Sequence, residues 1–197
     1  MKHLAVFAVL SLFGSAFALS ESQKIHLVID PGHGGKDPGH PVENVYESDI
    51  NLKWAMELKE AAEERGIEVT LTREEDEFVD LSTRAEIADA VEGENVILIS
   101  LHQSASDNAN ASGTRLYTLA EADEETKSLA EIIKAHLDTI HETRLEEGDF
   151  YMLRNRLYPA IMISAGFMSN SDNLELLQSE DFRAQFNDQL LNALVKE

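Results

Sequence analysis

The stretch AIMISAGFMSN, Ala160–Asn170, decides how this chain is read. Its first residues form an almost unbroken apolar run, the pattern of a strand whose two faces are both covered. The run ends in a glycine turn, and from Ser171 onward the pattern is that of a short helix followed by a C-terminal one. A buried strand feeding a helix through such a turn is a place where α/β proteins put reactive side chains. The polar residue at this strand end is Ser164.

The rest of the chain alternates in the same way. KIHLVID, Lys24–Asp30, reads as a buried strand leading into the glycine-rich turn PGHGGKDPG. Trp54, Ala55, Leu58, Ala61 and Ala62 recur with the spacing of one helical face, and Gly66 supplies a stop. IEVTLT, NVILISLH and TRLYTL are further strands; LSTRAEIADAV and the stripe Leu129, Ile132, Ile133, Leu137, Ile140 are helices. FYMLR reads as a short extended piece. The alternation predicts an α/β three-layer sandwich, with a mostly parallel or mixed central sheet and helices on both faces.

The first eighteen residues, MKHLAVFAVLSLFGSAFA, stand apart from that pattern. A basic start, an apolar core from Leu4 to Phe13 and the Ala16-x-Ala18 ending predict a secretory signal peptide cut after Ala18. The apolar run is short for a bilayer span. No repeat or linker divides residues 19–197, and their length suits one domain with one core. The expectation is an exported protein, periplasmic or extracellular, with no transmembrane segment once the signal is removed. Its oligomeric state is not legible in the sequence.

The chain has no cysteine, which excludes disulfides and thiolate metal sites. Its formal net charge is −21, and loss of the leader removes Lys2 and no acid. Such a surface disfavours nucleic acid and anionic membranes.

Ligands of open α/β sheets gather beyond the carboxyl ends of the strands. His33 lies in the turn after the first strand, His102 closes NVILISLH, and Glu47 opens the first long helix. Two imidazoles and a carboxylate make an ordinary zinc set with a fourth position left for water. Taken singly, each has a plainer reading: a strand-end polar group for either histidine, a first-turn carboxylate favoured by the helix dipole for Glu47. His40 lies in a loop close to Glu47 in sequence, and His26, His136 and His141 are weaker candidates.

VIDPGHGGKDPG, ESDINL, LTREEDEFVDLSTRAEIA, ISLHQSAS, FYMLRN and GFMSN follow one another in the order seen in zinc-dependent N-acetylmuramoyl-L-alanine amidases. The chain resembles that family from about Ile25 to Leu177. The resemblance implies a single α/β catalytic domain acting on peptidoglycan or muropeptides, with Zn2+ held by His33, Glu47 and His102. The implied reaction is hydrolysis of the amide between the lactyl group of N-acetylmuramic acid and L-alanine of the stem peptide. Arg73, Arg84 and Arg154 match basic positions of the family segments. Arg84 reads as a helix-surface or helix–loop ion-pair residue, Arg154 as a contact for an acidic stem peptide. Gln103, next to His102, reads as a donor to a substrate carbonyl or as loop support.

One position departs from the family pattern. The resemblance places a general-base glutamate two residues before the glycine of GFMSN, and Ser164 stands there. A serine hydroxyl cannot take a proton from water near neutral pH. Three readings follow: an amidase in which Glu146, Glu147 or Asp149 reaches the site; a zinc-retaining wall-binding protein with weak or no turnover; or Ser164 as a nucleophile. The last lacks the G-x-S-x-G elbow and an evident His/Asp partner set.

Overall fold

The structure is a computed structural model describing residues 24–195. The signal peptide read at Met1–Ala18 lies outside the described residues. In chain order the elements begin with strand β1 (His26–Pro31), the two-residue strands β2 (Pro41–Val42) and β3 (Val45–Tyr46), helix α1 (Glu47–Glu63), β4 (Glu68–Leu71) and α2 (Leu81–Asp89). There follow β5 (Val96–Ser104), β6 (Thr114–Thr118), α3 (Glu124–Leu137), β7 (Thr143–Glu147), β8 (Ala160–Phe167), α4 (Ser171–Gln178) and α5 (Glu180–Leu194).

Six strands form one sheet in the order β4-β1-β5-β8-β6-β7. All neighbours are parallel except β6 and β8, which run antiparallel, so the sheet is mixed. β2 and β3 make a separate hairpin beside the start of α1. The α/β sandwich expected from the sequence is therefore present, with helices on both faces.

The two faces are unequally covered. Leu27, Ile29, Ile99 and Ile163 point into a large core against Trp54, Leu58, Ile133 and Phe186 of α1, α3 and α5. Trp54 is at its centre: its ring meets Phe186 edge-on at 4.9 Å, and its indole N–H donates to Asn187 Oδ1 at 2.7 Å. The opposite face carries a smaller cluster, Val28, Leu98 and Met162 against Ala85 and Ala88 of α2 and Met152. That thin cover leaves room for a cleft at the carboxyl ends of β1 and β5.

Two elements differ from expectation. FYMLR is a 3-10 turn over Tyr151–Leu153 rather than an extended piece, with Met152 and Leu153 packed under the sheet. β7, with the burial of an edge strand, carries only partial apolar alternation, so periodicity does not reveal it. Its partner β6 supplies the pairing that makes it a strand. Among the described residues, no helix is long and apolar enough to cross a membrane.

Candidate metal centre

His33, Glu47 and His102 converge. One ligand atom from each lies within 4.8 Å of the others. Glu47 Oε1 is 3.3 Å from His33 Nε2 and 3.1 Å from His102 Nδ1. Each residue arrives from a different element: the turn after β1, the first residue of α1, and the end of β5. The donor set is chemically suited to a divalent metal, and the two histidine rings meet edge-on with centroids 4.9 Å apart.

Local structure explains the convergence. His33 adopts a left-handed backbone, φ 63°, a conformation that costs energy and persists only where neighbours enforce it. The enforcement comes from a tight loop in which Gly34 and Asp37 exchange backbone hydrogen bonds, and from Arg84, whose Nη2 donates to His33 O at 2.5 Å. Asp37 Oδ2 lies 2.8 Å from His33 Nδ1 and so orients the ring with Nε2 toward Glu47. At Gly32 an added Cβ would stand 2.2 Å from the His102 ring, so the turn backbone must be bare for that imidazole to lie across it. Gly39, at φ +68°, comes equally close to Glu47 and His33.

Glu47 is buried and held from several sides. Its Oε1 accepts from the backbone N–H of Gln103 at 2.9 Å, and its Oε2 from the backbone N–H of His40 at 3.0 Å. Burial works against its charge, but hydrogen bonds and attraction to His102 and His33 win and keep it far below the usual carboxylate range. Burial likewise opposes a charged His33, yet Glu47 and Asp37 together push it up to about 9.

Behind the turn lies a second polar group that sequence reading did not single out. Asp30 is fully buried and accepts from Thr72 Oγ1 at 2.6 Å, Ser100 Oγ at 2.7 Å and Arg84 Nη1 at 2.9 Å. Burial opposes its ionisation, but Arg84 and the two hydroxyls hold its carboxyl below the ordinary value. Arg84 also donates to Pro31 O, and Arg73 to Pro31 O and Gly32 O, so two guanidiniums clamp the backbone that presents His33. Arg84 is thus a helix–loop ion-pair residue, but 3% exposed rather than on the helix surface. The signal in the sequence was the Asp that begins DPGHGG, with no local hint of its partners.

The remaining predicted residues fall in different places. Gln103 follows His102, so strand alternation turns its side chain to the other face of β5, where its Nε2 donates to Asn51 at 3.0 Å. Its backbone secures Glu47, while its side chain packs toward α1. Arg154 is exposed and bonded twice to Asp149, at 2.6 and 2.9 Å, so its charge is already partnered. The backbone of His40 touches Glu47, whereas its side chain is not part of the converging group.

Ser164 lies directly beside His102 in the register of β5 and β8, and beside Arg115 in that of β8 and β6. The three side chains therefore share one sheet face. Ser164 is buried, and its Oγ is 2.6 Å from Ser104 Oγ. Arg115 Nε pairs with Glu146 Oε1 at 3.2 Å, and Glu146 lies opposite Tyr117, whose hydroxyl is pushed up by burial and then by the Glu146 charge. No histidine is bonded to Ser164 among the described residues, which leaves the nucleophile reading without a base.

Residues 27–196 match the family model of N-acetylmuramoyl-L-alanine amidases. The chain belongs to the N-acetylmuramoyl-L-alanine amidase family. By that membership it is a hydrolase of the peptidoglycan amide class. This amidase is 31% identical over 170 residues to the protein YqiI of Bacillus subtilis (strain 168), covering 84% of this chain and 81% of that one. Over 160 residues it is 28% identical to the probable cell wall amidase LytH of Staphylococcus aureus, covering 78% of this chain and 52% of LytH. The amidase chain thus spans about half of that relative's length. The catalytic domain of CwlV, an N-acetylmuramoyl-L-alanine amidase from Bacillus (Paenibacillus) polymyxa var. colistinus, superposes with a TM-score of 0.79 at 27% identity, covering 87% of this chain and 99% of that domain.

Proposed function

We propose that this chain is an exported, single-domain zinc amidase that hydrolyses the amide between N-acetylmuramic acid and L-alanine in the cell envelope. The observation that carries the proposal is the convergence of His33, Glu47 and His102 within 4.8 Å at the carboxyl ends of the parallel strands. These three residues would hold the ion. When bound, zinc polarises a carbonyl and lowers the pKa of coordinated water.

The chain's own residues prepare that site. Asp37 fixes the His33 ring, the Gln103 and His40 backbones fix the Glu47 carboxylate, and Asp30 with Arg84 and Arg73 fixes the turn. Amide hydrolysis also needs a group that accepts a proton and returns it to the leaving nitrogen. Ser164 positions and hydrogen-bonds but does not titrate near neutrality. Glu146 pairs with Arg115 but stands on β7, three strands from β5 and His102, about 14 Å away at the usual strand spacing. Asp149 is occupied by Arg154.

The test is zinc stoichiometry and release of stem peptides from purified peptidoglycan, with and without chelator, by wild type and Ser164→Glu. Release by wild type that chelation abolishes supports the amidase. Wall binding with release only by Ser164→Glu would mean a zinc-retaining binding protein instead, and absence of zinc would sink both.

A further inference from the structure

The cleft beside His33 and His102 has a volume of about 560 Å³ and two unlike walls. One is polar, made by the histidines and Asp37 over the buried Asp30–Arg84 pair. The other is apolar and comes from the segment leading into α2 and from the 3-10 turn. On it Phe78, Leu81 and Tyr151 line the cleft while remaining 46%, 51% and 41% exposed. None of the three belongs to either hydrophobic core cluster, so packing of the fold does not account for them. Exposed apolar groups gathered at one site, rather than scattered singly, mark a contact surface.

The chemistry of that wall selects its occupant. Aromatic side chains offer flat apolar faces with a polar handle at Tyr151, suited to a ligand that is apolar on its faces and polar around its rim. A pyranose ring has that character, with C–H groups on its faces and hydroxyls at its edge. Asp37 and Asp80 also line the cleft, where they can accept from sugar hydroxyls and repel the carboxylates of an acidic peptide. The Lys36 ammonium covers one face of the Phe78 ring, 4.1 Å from its centroid, so a sugar meets that ring on its other face or edge, beside the open Tyr151 and Leu81.

We propose that the shelf formed by Phe78, Leu81 and Tyr151 is the subsite for a pyranose ring of the glycan strand. The scissile amide then lies over His33, Glu47 and His102, and the stem peptide extends on the far side of that group. The assignment of the reacting amide rests on the amidase reading; the affinity of the shelf for sugar does not.

The experiment titrates the full chain by calorimetry with two separate probes: peptide-free oligosaccharides of alternating N-acetylglucosamine and N-acetylmuramic acid, and free stem peptide. Phe78→Ala and Tyr151→Ala each weaken oligosaccharide binding by roughly 10-fold, the loss expected of one stacked anchor, and leave peptide binding unchanged. Tyr151→Phe keeps the ring and binds the oligosaccharide within about 3-fold of wild type, well inside that loss. Leu157→Ala removes an exposed apolar group that does not line this cleft and has no effect. In peptidoglycan hydrolysis the shelf variants raise KM while sparing kcat. Undetectable oligosaccharide binding by wild type, or unchanged affinity in both alanine variants with their unfolding midpoints intact, overturns the proposal. So does a loss that appears equally with free peptide. If wild type releases no stem peptide yet binds oligosaccharide through Phe78 and Tyr151, the amidase reading fails and the shelf stands.

Discussion

Ser164 and Ser104 join their hydroxyls at 2.6 Å on the sheet face that also carries His102. Two neutral hydroxyls thus occupy the flank of a site whose chemistry calls for a proton acceptor. The pair fills space and hydrogen-bonds, but it stores no charge that could drive proton transfer.

Introducing a carboxylate there changes the rate. Ser164→Glu is expected to raise kcat for stem-peptide release by about 10²-fold, the lower end of the usual range for general-base catalysis. Glu146→Gln, three strands away from His102, is expected to leave the rate within about 3-fold in either background. Equal losses in both backgrounds would assign Glu146 a structural role through Arg115.

Asp37 orients the ring of His33, one of the three proposed metal ligands. Asp37→Ala frees the imidazole to rotate and to change tautomer, and zinc affinity is expected to fall by about 10- to 100-fold, as for other outer-shell partners. Competition with a chromophoric chelator measures it. An unchanged affinity would show that the Gly34–Asp37 backbone loop alone orients the ring.

The Asp30–Arg84 pair predicts acid sensitivity. The folded-state pKa of Asp30 lies below its unfolded value of 3.8, so its contribution is complete above that value and lost as pH falls through the folded pKa. Stability measured by urea unfolding should decline below about pH 4, and part of that decline should vanish in Asp30→Asn. Arg84→Met at neutral pH strands a buried carboxylate and should cost about 3–5 kcal/mol. A cost under about 1 kcal/mol would mean that Thr72 and Ser100 suffice.

Trp54 reports on the larger core. It is 1% exposed and wedged against Phe186, so Trp54→Ala leaves a cavity and an unpaired Asn187. A loss of about 3–5 kcal/mol is expected by chemical unfolding. Zinc binding per folded molecule should persist, because Glu47, not the indole, is the residue of α1 proposed to hold the ion.

Much of the architecture was already present in the one-dimensional pattern. Apolar runs such as Val96–Ile99 and Ala160–Ile163 read as strands covered on both sides and the stripe through Trp54 and Leu58 as a core-facing helix, and the structure has them so. His33, Glu47 and His102, singled out through the family resemblance as candidate ligands, come together within 4.8 Å. FYMLR and β7 escaped because their conformations depend on neighbours: a packed underside for Met152, and pairing with β6 for Thr143–Glu147.

The sequence by itself determined most of the elements, the family and the candidate ligands, because periodicity, glycine turns and side-chain chemistry are properties of local stretches. Only the tertiary structure decided what each residue faces. Strand alternation sent Gln103 away from the cleft, and register placed Ser164 between His102 and Arg115. Burial brought Arg84 onto Asp30 across 54 residues of chain. Such relations arise when distant segments exclude water together, and no single segment carries them.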